Sequence, residues 1–276
     1  MGASMSDGTE VPLPELSGWV LILGASSGFG AAAARAFARA GSNVVGVHLD
    51  RRATLPNVEA LEAELRALGR EAWFFNVNAA DADRRAFVLD EVSARFAERG
   101  RGETLRVLLH SLAFGTLKPL ASDGDSLSQK QLEMTCDVMA HSLVYWTQDV
   151  LRRGLMGASG RIFAMTSTGS REVWPGYGAV SAAKSALESH VRQLAMELAP
   201  RGISANAVCA GVTETPASVK IPGYESIKQA ALRKNPHHRL TTPDDVARAL
   251  VALSLPATYW LTGNVLYVDG GEAHSG

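Results

Sequence analysis

The amino-acid sequence predicts an α/β protein: one doubly wound domain whose seven-stranded parallel sheet carries helices on both faces. Three observations predict it. Short apolar, strand-like runs alternate with amphipathic or Ala-rich helical stretches along the chain. A glycine-rich turn directly follows the first apolar run and opens the first helical stretch. No linker, repeat or low-complexity block divides the chain, and 276 residues suffice for one large core.

Residues 1–16 carry Gly, Ser, Pro and acids without periodicity and read as a mobile amino-terminal tail, leaving 17–276 as the domain. They lack the basic start and apolar core of a secretory signal. The predicted strands are Trp19–Leu23, Val44–Leu49, Ala72–Val77, Val107–Ser111, Arg161–Thr166, Ser204–Cys209 and Val265–Val268. Between them lie the helical stretches Phe29–Ala40, Val58–Leu68, Arg84–Arg99, Gln129–Arg153, Tyr177–Leu198 and Pro243–Leu255. Such alternation demands right-handed crossovers, hence parallel strands. Thr242-Pro243-Asp244-Asp245 starts its helix with a capping hydroxyl, a proline at the first helical position and an acid three residues after the cap. Two segments break the rhythm. Ala121–Ser128 reads as a solvated turn, whereas residues 211–240 mix Pro, Gly and short helical pieces and read as a substrate loop. Loops at the carboxyl ends of parallel strands border the ligand crevice.

Composition excludes several function classes. A net charge of −1 gives no electrostatic case for nucleic acid or an anionic membrane surface. The apolar runs are too short to span a bilayer. Two cysteines, Cys136 and Cys209, make neither a disulfide framework nor a metal-ligand spacing, so no metal is expected and a reducing cytoplasm is the simplest setting.

Gly24-Ala25-Ser26-Ser27-Gly28-Phe29-Gly30 lies between a strand and an Ala-rich helix. Glycines there permit a tight turn and let a pyrophosphate approach free backbone N–H groups at the positive end of the helix dipole. This points to a bound dinucleotide. The second strand ends His48-Leu49-Asp50-Arg51-Arg52. An acid at the tip would accept from a ribose 2′-hydroxyl and favour NADH; nearby arginines would hold a 2′-phosphate and favour NADPH. His48 occupies the usual acid position and Asp50 comes two residues late, so Arg51 and Arg52 tilt the expectation to NADPH, with NADH still possible. Asn76 and Val77 are placed to contact the adenine, and Ser111, in His110-Ser111-Leu112-Ala113, the cofactor ribose. His110 reads as a structural strand-end histidine.

Tyr177 and Lys184 stand seven residues apart, almost two helical turns, so both side chains lie on one helix face. Beside a bound dinucleotide, a phenol and an ammonium make a proton donor with electrostatic support. Ser167, at the end of the fifth strand, is either a substrate or nicotinamide contact or a structural hydroxyl.

In order along the chain, GASSGFG, the strand ending at Ser167, the Tyr/Lys helix, Asn206-Ala207-Val208 and Val268-Asp269-Gly270-Gly271 resemble the short-chain dehydrogenase/reductase family. More narrowly, the chain resembles the enoyl-acyl-carrier-protein reductase branch. The usual family tyrosine lies four before the lysine, where this sequence has Val180; the six-residue interval between Tyr177 and Lys184 marks the enoyl branch. His110–Ala113 and Ala210-Gly211 agree with that branch, and Met139 stands at the usual helix-four asparagine. The glycine turn resembles the atypical members that keep an ordinary spacing.

The resemblance implies a Rossmann domain that reduces a trans-2-enoyl thioester, carried by acyl-carrier protein or by coenzyme A, with Tyr177, Lys184 and Ser167 as the catalytic set. Lys184 would hold the nicotinamide ribose and lower the phenol's pKa. Gly211 and Thr213, past the sixth strand, complete the implied cofactor contacts. A homotetramer is also implied. A carbonyl or alcohol oxidoreductase of the same family, and a dinucleotide-binding sensor without catalysis, stay open as alternatives.

Overall fold

A computed structural model describes residues 13–275 of the chain. Its strands are β1 (Trp19–Leu23), β2 (Asn43–His48), β3 (Ala72–Asn76), β4 (Leu105–His110), β5 (Arg161–Thr166), β6 (Ser204–Ala210) and β7 (Val265–Val268). They form one parallel sheet in the order β3-β2-β1-β4-β5-β6-β7. Leu23 stands level with Val47 on one side and His110 on the other. The strand order reverses between β1 and β4, the point at which open α/β sheets bind ligands beyond the carboxyl ends of their strands.

Successive residues of each inner strand feed opposite cores, which is why these runs are apolar throughout rather than alternating. Val20, Ile22 and Val44 pack under α1 (Gly28–Arg39), α2 (Leu55–Ala67) and α8 (Pro243–Leu253). Leu21, Leu23 and Val45 pack under α3 (Ala82–Arg99), α5 (Ser142–Arg152) and α6 (Gly178–Leu198). Each such side chain contributes about 1.5–3 kcal/mol on burial. Among the described residues, no helix is long and apolar enough to cross a membrane.

Three features depart from the sequence reading. The stretch expected as one helix over Gln129–Arg153 is α4 (Gln129–Cys136), a π-helical turn at Asp137–His141, and then α5. The widened turn buries Met139 and Ala140 together, and π-bulges of this kind concentrate at functional sites. Residues 211–240 hold a true helix, α7 (Tyr224–Lys234). Its breakers bracket it instead of interrupting it: Pro222 and Gly223 precede the first turn, and Pro236 follows the last. Finally, Leu16, expected in the tail, is buried; its N–H donates to the Ala40 carbonyl at 2.6 Å and its carbonyl accepts from Ser42 Oγ at 2.8 Å. Residues 1–12 of the expected tail lie outside the described residues.

Candidate active site

The glycine turn is dictated by close backbone approach. A Cβ on Gly24 would lie 2.4 Å from the Ser111 carbonyl oxygen, and one on Gly30 only 1.9 Å from the Gly24 carbonyl oxygen. Gly24 also has φ +87°, a conformation that suits glycine. Gly24 and Ala25 donate to the Val47 carbonyl at 2.8 and 3.0 Å, and Ser111 donates to the Leu23 carbonyl at 2.9 Å, fixing the turn across β2, β1 and β4. Ser27 stands at the N-cap of α1, but its side chain makes no capping bond. First-turn N–H groups are therefore available to an anion, with the helix dipole behind them. Ser26, Gly28 and Phe29 border the turn half-buried, and Ser27 is exposed.

At the tip of β2 the acid that comes two residues late is turned inwards. His48 is buried, and its Nδ1 lies 3.0 Å from Asp50 Oδ2. Burial pushes the Asp50 carboxyl up, yet hydrogen bonds from Ser26, Thr54 and His48 outweigh it and hold the group below the ordinary carboxylate range. A carboxylate thus stands against the glycine turn. Arg51 and Arg52 are exposed. Asn76, expected at the adenine, is engaged with Asp50's backbone: its Oδ1 accepts from the Asp50 N–H at 2.9 Å and its Nδ2 donates to the Asp50 carbonyl at 3.0 Å. The Val77 N–H donates to the His48 carbonyl at 2.8 Å.

Tyr177 occupies the N-cap position of α6, half-buried. Its ring lies on Gly169, where a Cβ would come within 2.4 Å of Cε1. Burial pushes the phenol's pKa up, and a hydrogen bond with Ser167 only partly offsets this. The expected lowering is overturned: desolvation dominates, and the phenol is firmly protonated at neutral pH. Ser167 Oγ also accepts from the Gly169 N–H at 3.1 Å, so the serine joins the loop to the tyrosine. Val180, at the usual tyrosine position, is buried in the core.

Beneath lies a buried polar floor. Lys184 is 5% exposed and its Nζ donates to the Met165 carbonyl at 2.7 Å. Burial brings its pKa down to about 8, with Cys209 and Glu188 pulling the other way. Glu188 is one helical turn beyond Lys184, is buried, and accepts from Thr166 Oγ1 at 2.7 Å. Cys209 is pushed up to about 12, chiefly by burial, and stays a thiol. His110 is fully buried and brought down to about 3 by burial and by Lys184, so it is neutral. Ser142 Oγ donates to the Val138 carbonyl at 2.8 Å and so accepts from His110 Nε2, 2.8 Å away.

Past β6, Gly211 is closely packed: a Cβ there would lie 2.4 Å from Thr241 Oγ1. Thr213 is buried with its hydroxyl donating to the Gly211 carbonyl at 2.9 Å. The loop is tied down at both ends. Glu272 accepts from the Val212 N–H at 3.1 Å, and Asn235 donates to the Asp269 carbonyl at 2.9 Å. Sequence reasoning missed Glu188, Cys209, Glu272 and the inward turn of Asp50. Only Glu188 had a local signal, its four-residue interval from Lys184.

Residues 24–272 match a family model described as enoyl-(acyl carrier protein) reductase. The chain is 30% identical over 177 residues to an enoyl-[acyl-carrier-protein] reductase [NADH] of Aquifex aeolicus, a match that covers 64% of this chain and 65% of that enzyme's length. It is 29% identical over 253 residues to 1-cyclohexenylcarbonyl-CoA reductase of Streptomyces collinus, covering 91% of this chain and 85% of the relative. A crystal structure of the Aquifex aeolicus VF5 enoyl reductase superposes with TM-score 0.79 at 24% identity, over 94% of this chain and 97% of that one, a likeness of fold. With the glycine turn and the Tyr/Lys helix both inside that match, the chain belongs to the enoyl-(acyl carrier protein) reductase family of the short-chain dehydrogenases/reductases.

Proposed function

We propose that the protein reduces the carbon–carbon double bond of a trans-2-enoyl thioester with a reduced nicotinamide dinucleotide. The observation that carries the reading is the protonated Tyr177 phenol, hydrogen-bonded to Ser167, combined with a buried Val180 and Met139 that can donate no proton. The glycine cradle, whose turn has no room for a Cβ at Gly24 or Gly30, and the uncapped α1 N-terminus fit a pyrophosphate. Ser26, Ser27, Gly28, Phe29 and Gly30 would hold it, with Ser111, Gly211 and Thr213 along its length. When bound, the reduced nicotinamide supplies a hydride to the substrate's β-carbon.

The electron pair of the double bond moves to the thioester oxygen, where Tyr177 donates a hydrogen bond as charge develops. A solvent proton taken up at the α-carbon then restores the thioester carbonyl and completes the reduction. A phenol held protonated by burial suits a donor. Lys184, mostly cationic at neutral pH with a pKa of about 8, donates to the ribose hydroxyls. Asp50 supports NADH, where Arg51 and Arg52 alone pointed to NADPH: a carboxylate against Ser26 accepts from ribose hydroxyls and repels a 2′-phosphate. The acyl group is carried by acyl-carrier protein or coenzyme A, in the cytoplasm. A homotetramer would cover the apolar surface of the loop leading into β7, where Trp260 is 83% exposed.

The test is reduction of a crotonyl thioester beside a β-ketoacyl thioester, each with NADH and NADPH. Turnover of the crotonyl substrate supports the reading. Turnover of the ketone alone assigns a carbonyl reductase, and neither reaction assigns a dinucleotide sensor.

A further inference from the structure

We infer that His48 is a positioning residue that sets the cofactor preference of this site, by fixing the Asp50 carboxylate where it accepts from an adenosine ribose lacking a 2′-phosphate. The inference rests on the dinucleotide reading above and extends it to a residue that need not touch the cofactor.

An acid at position 48 would be aimed by the strand itself. At position 50, beyond the last residue of β2, a side chain has left the pleat that would orient it. Contacts from His48, Asn76, Ser26 and Thr54 restore the missing orientation. His48 Nδ1 reaches Asp50 Oδ2 at 3.0 Å, with only 3% of the histidine side chain and 15% of the aspartate side chain exposed. The imidazole is itself held by packing. The Phe74 ring lies against it with centroids 6.1 Å apart, and Phe74 in turn lies over Gly46, where a Cβ would come within 2.7 Å of the ring. From β3, Asn76 grips the Asp50 backbone through both its N–H and its carbonyl. Side-chain hydrogen bonds from Ser26, in the glycine turn, and from Thr54 complete the set.

A carboxylate oxygen only accepts, so Nδ1 carries the proton and donates to Oδ2. Ser26 and Thr54 supply the other side-chain hydrogen bonds to the carboxylate. Without the histidine donor the Asp50 carboxylate loses its Oδ2 partner and is held less firmly, by Ser26, Thr54 and the Asn76 grip on its backbone, so exposed Arg51 and Arg52 weigh more at the ribose. The preference between the two cofactors would then narrow.

Two polar substitutions separate this role from plain packing. An asparagine amide nitrogen falls near the place of imidazole Nδ1, whereas a glutamine amide falls near that of Nε2. His48→Asn should keep the ratio of KM for NADPH to KM for NADH within about twofold of wild type, and His48→Gln should lower it about tenfold, the scale of one charge-assisted hydrogen bond. The change should appear in KM for NADH, with kcat at saturating NADH moving far less. Equal ratios in the two variants would overturn the proposal. Nitrogen-labelled histidine NMR of the wild-type protein gives a check that requires no variant to fold: the His48 proton must reside on Nδ1, and a proton on Nε2 alone overturns the proposal too. Asp50→Asn separates the layers. If wild type prefers NADPH, or Asp50→Asn leaves the ratio unmoved, the NADH reading fails. If Asp50→Asn relaxes a clear NADH preference while His48→Asn and His48→Gln behave alike, only the role of His48 fails.

Discussion

Replacing Lys184 with methionine should stabilise the cofactor-free protein while abolishing turnover. The ammonium is 5% exposed, and burial holds its pKa at about 8, below the ordinary lysine value of 10.5. That interval corresponds to about 3 kcal/mol by which the folded state disfavours the charge at neutral pH. Losing the 2.7 Å hydrogen bond to the Met165 carbonyl takes back part of the gain, about 1.5 kcal/mol for a charged donor. A net stabilisation of about 1–2 kcal/mol near neutral pH follows from the difference. The sign with pH is set by the depressed pKa of a base. The deficit of the wild type is complete below about 8, shrinks as pH rises, and is gone above 10.5. Urea unfolding of both proteins, followed by tryptophan fluorescence near neutral pH and again near pH 10, measures this difference. Cys209, pushed up to about 12, stays a thiol in the folded protein at both pH values. A variant less stable than wild type at neutral pH, or a difference that stays constant with pH, would refute the reasoning. Stability held back at a lysine proposed to bind the cofactor would be the usual trade between activity and folding.

Tyr177→Phe should lower crotonyl thioester turnover by about one to several orders of magnitude and leave cofactor affinity near normal. Steady-state kinetics with NADH titration checks both, and near-normal turnover would remove the phenol from the mechanism. Gly30→Ala should destabilise the protein by about 2 kcal/mol or more and weaken dinucleotide binding, because its Cβ would meet the Gly24 carbonyl oxygen at 1.9 Å; thermal melting with and without NADH reads both effects. Amide exchange over residues 211–240, α7 included, should be faster than in α8 and should slow most when cofactor and an acyl ligand bind together. Complete protection in the apo protein would make that segment ordinary scaffold. Light scattering should give a mass of about four chains, and a monomer would mean that Trp260 and its neighbours are solvated rather than covered.

Where an element depends on contacts within a few residues, the sequence alone determined it. Arg161–Thr166 and Val265–Val268 are strands with the bounds that their apolar runs predict. The start of α8 was equally legible, because its capping box is a local exchange between Thr242 and Asp245. The glycine turn belongs with these: its spacing between strand and helix implies the backbone crowding that the fold displays at Gly24 and Gly30. Tertiary structure decided what depends on distant neighbours. The π-turn at Asp137–His141 forms where Met139 packs against the Gly115 and Val180 region, and nothing in its own five residues announces it. Lys184 has its depressed pKa from burial under β5 and β6, and Tyr177 has its raised one from the same cause, which no spacing on α6 reveals. Asp50 looked misplaced along the strand, yet the pairing of β2 with β3 and the ring of His48 turn it into the site. Periodicity and caps act along the chain over one or two turns, whereas desolvation, charge and side-chain direction answer to whatever the fold brings within a few ångströms.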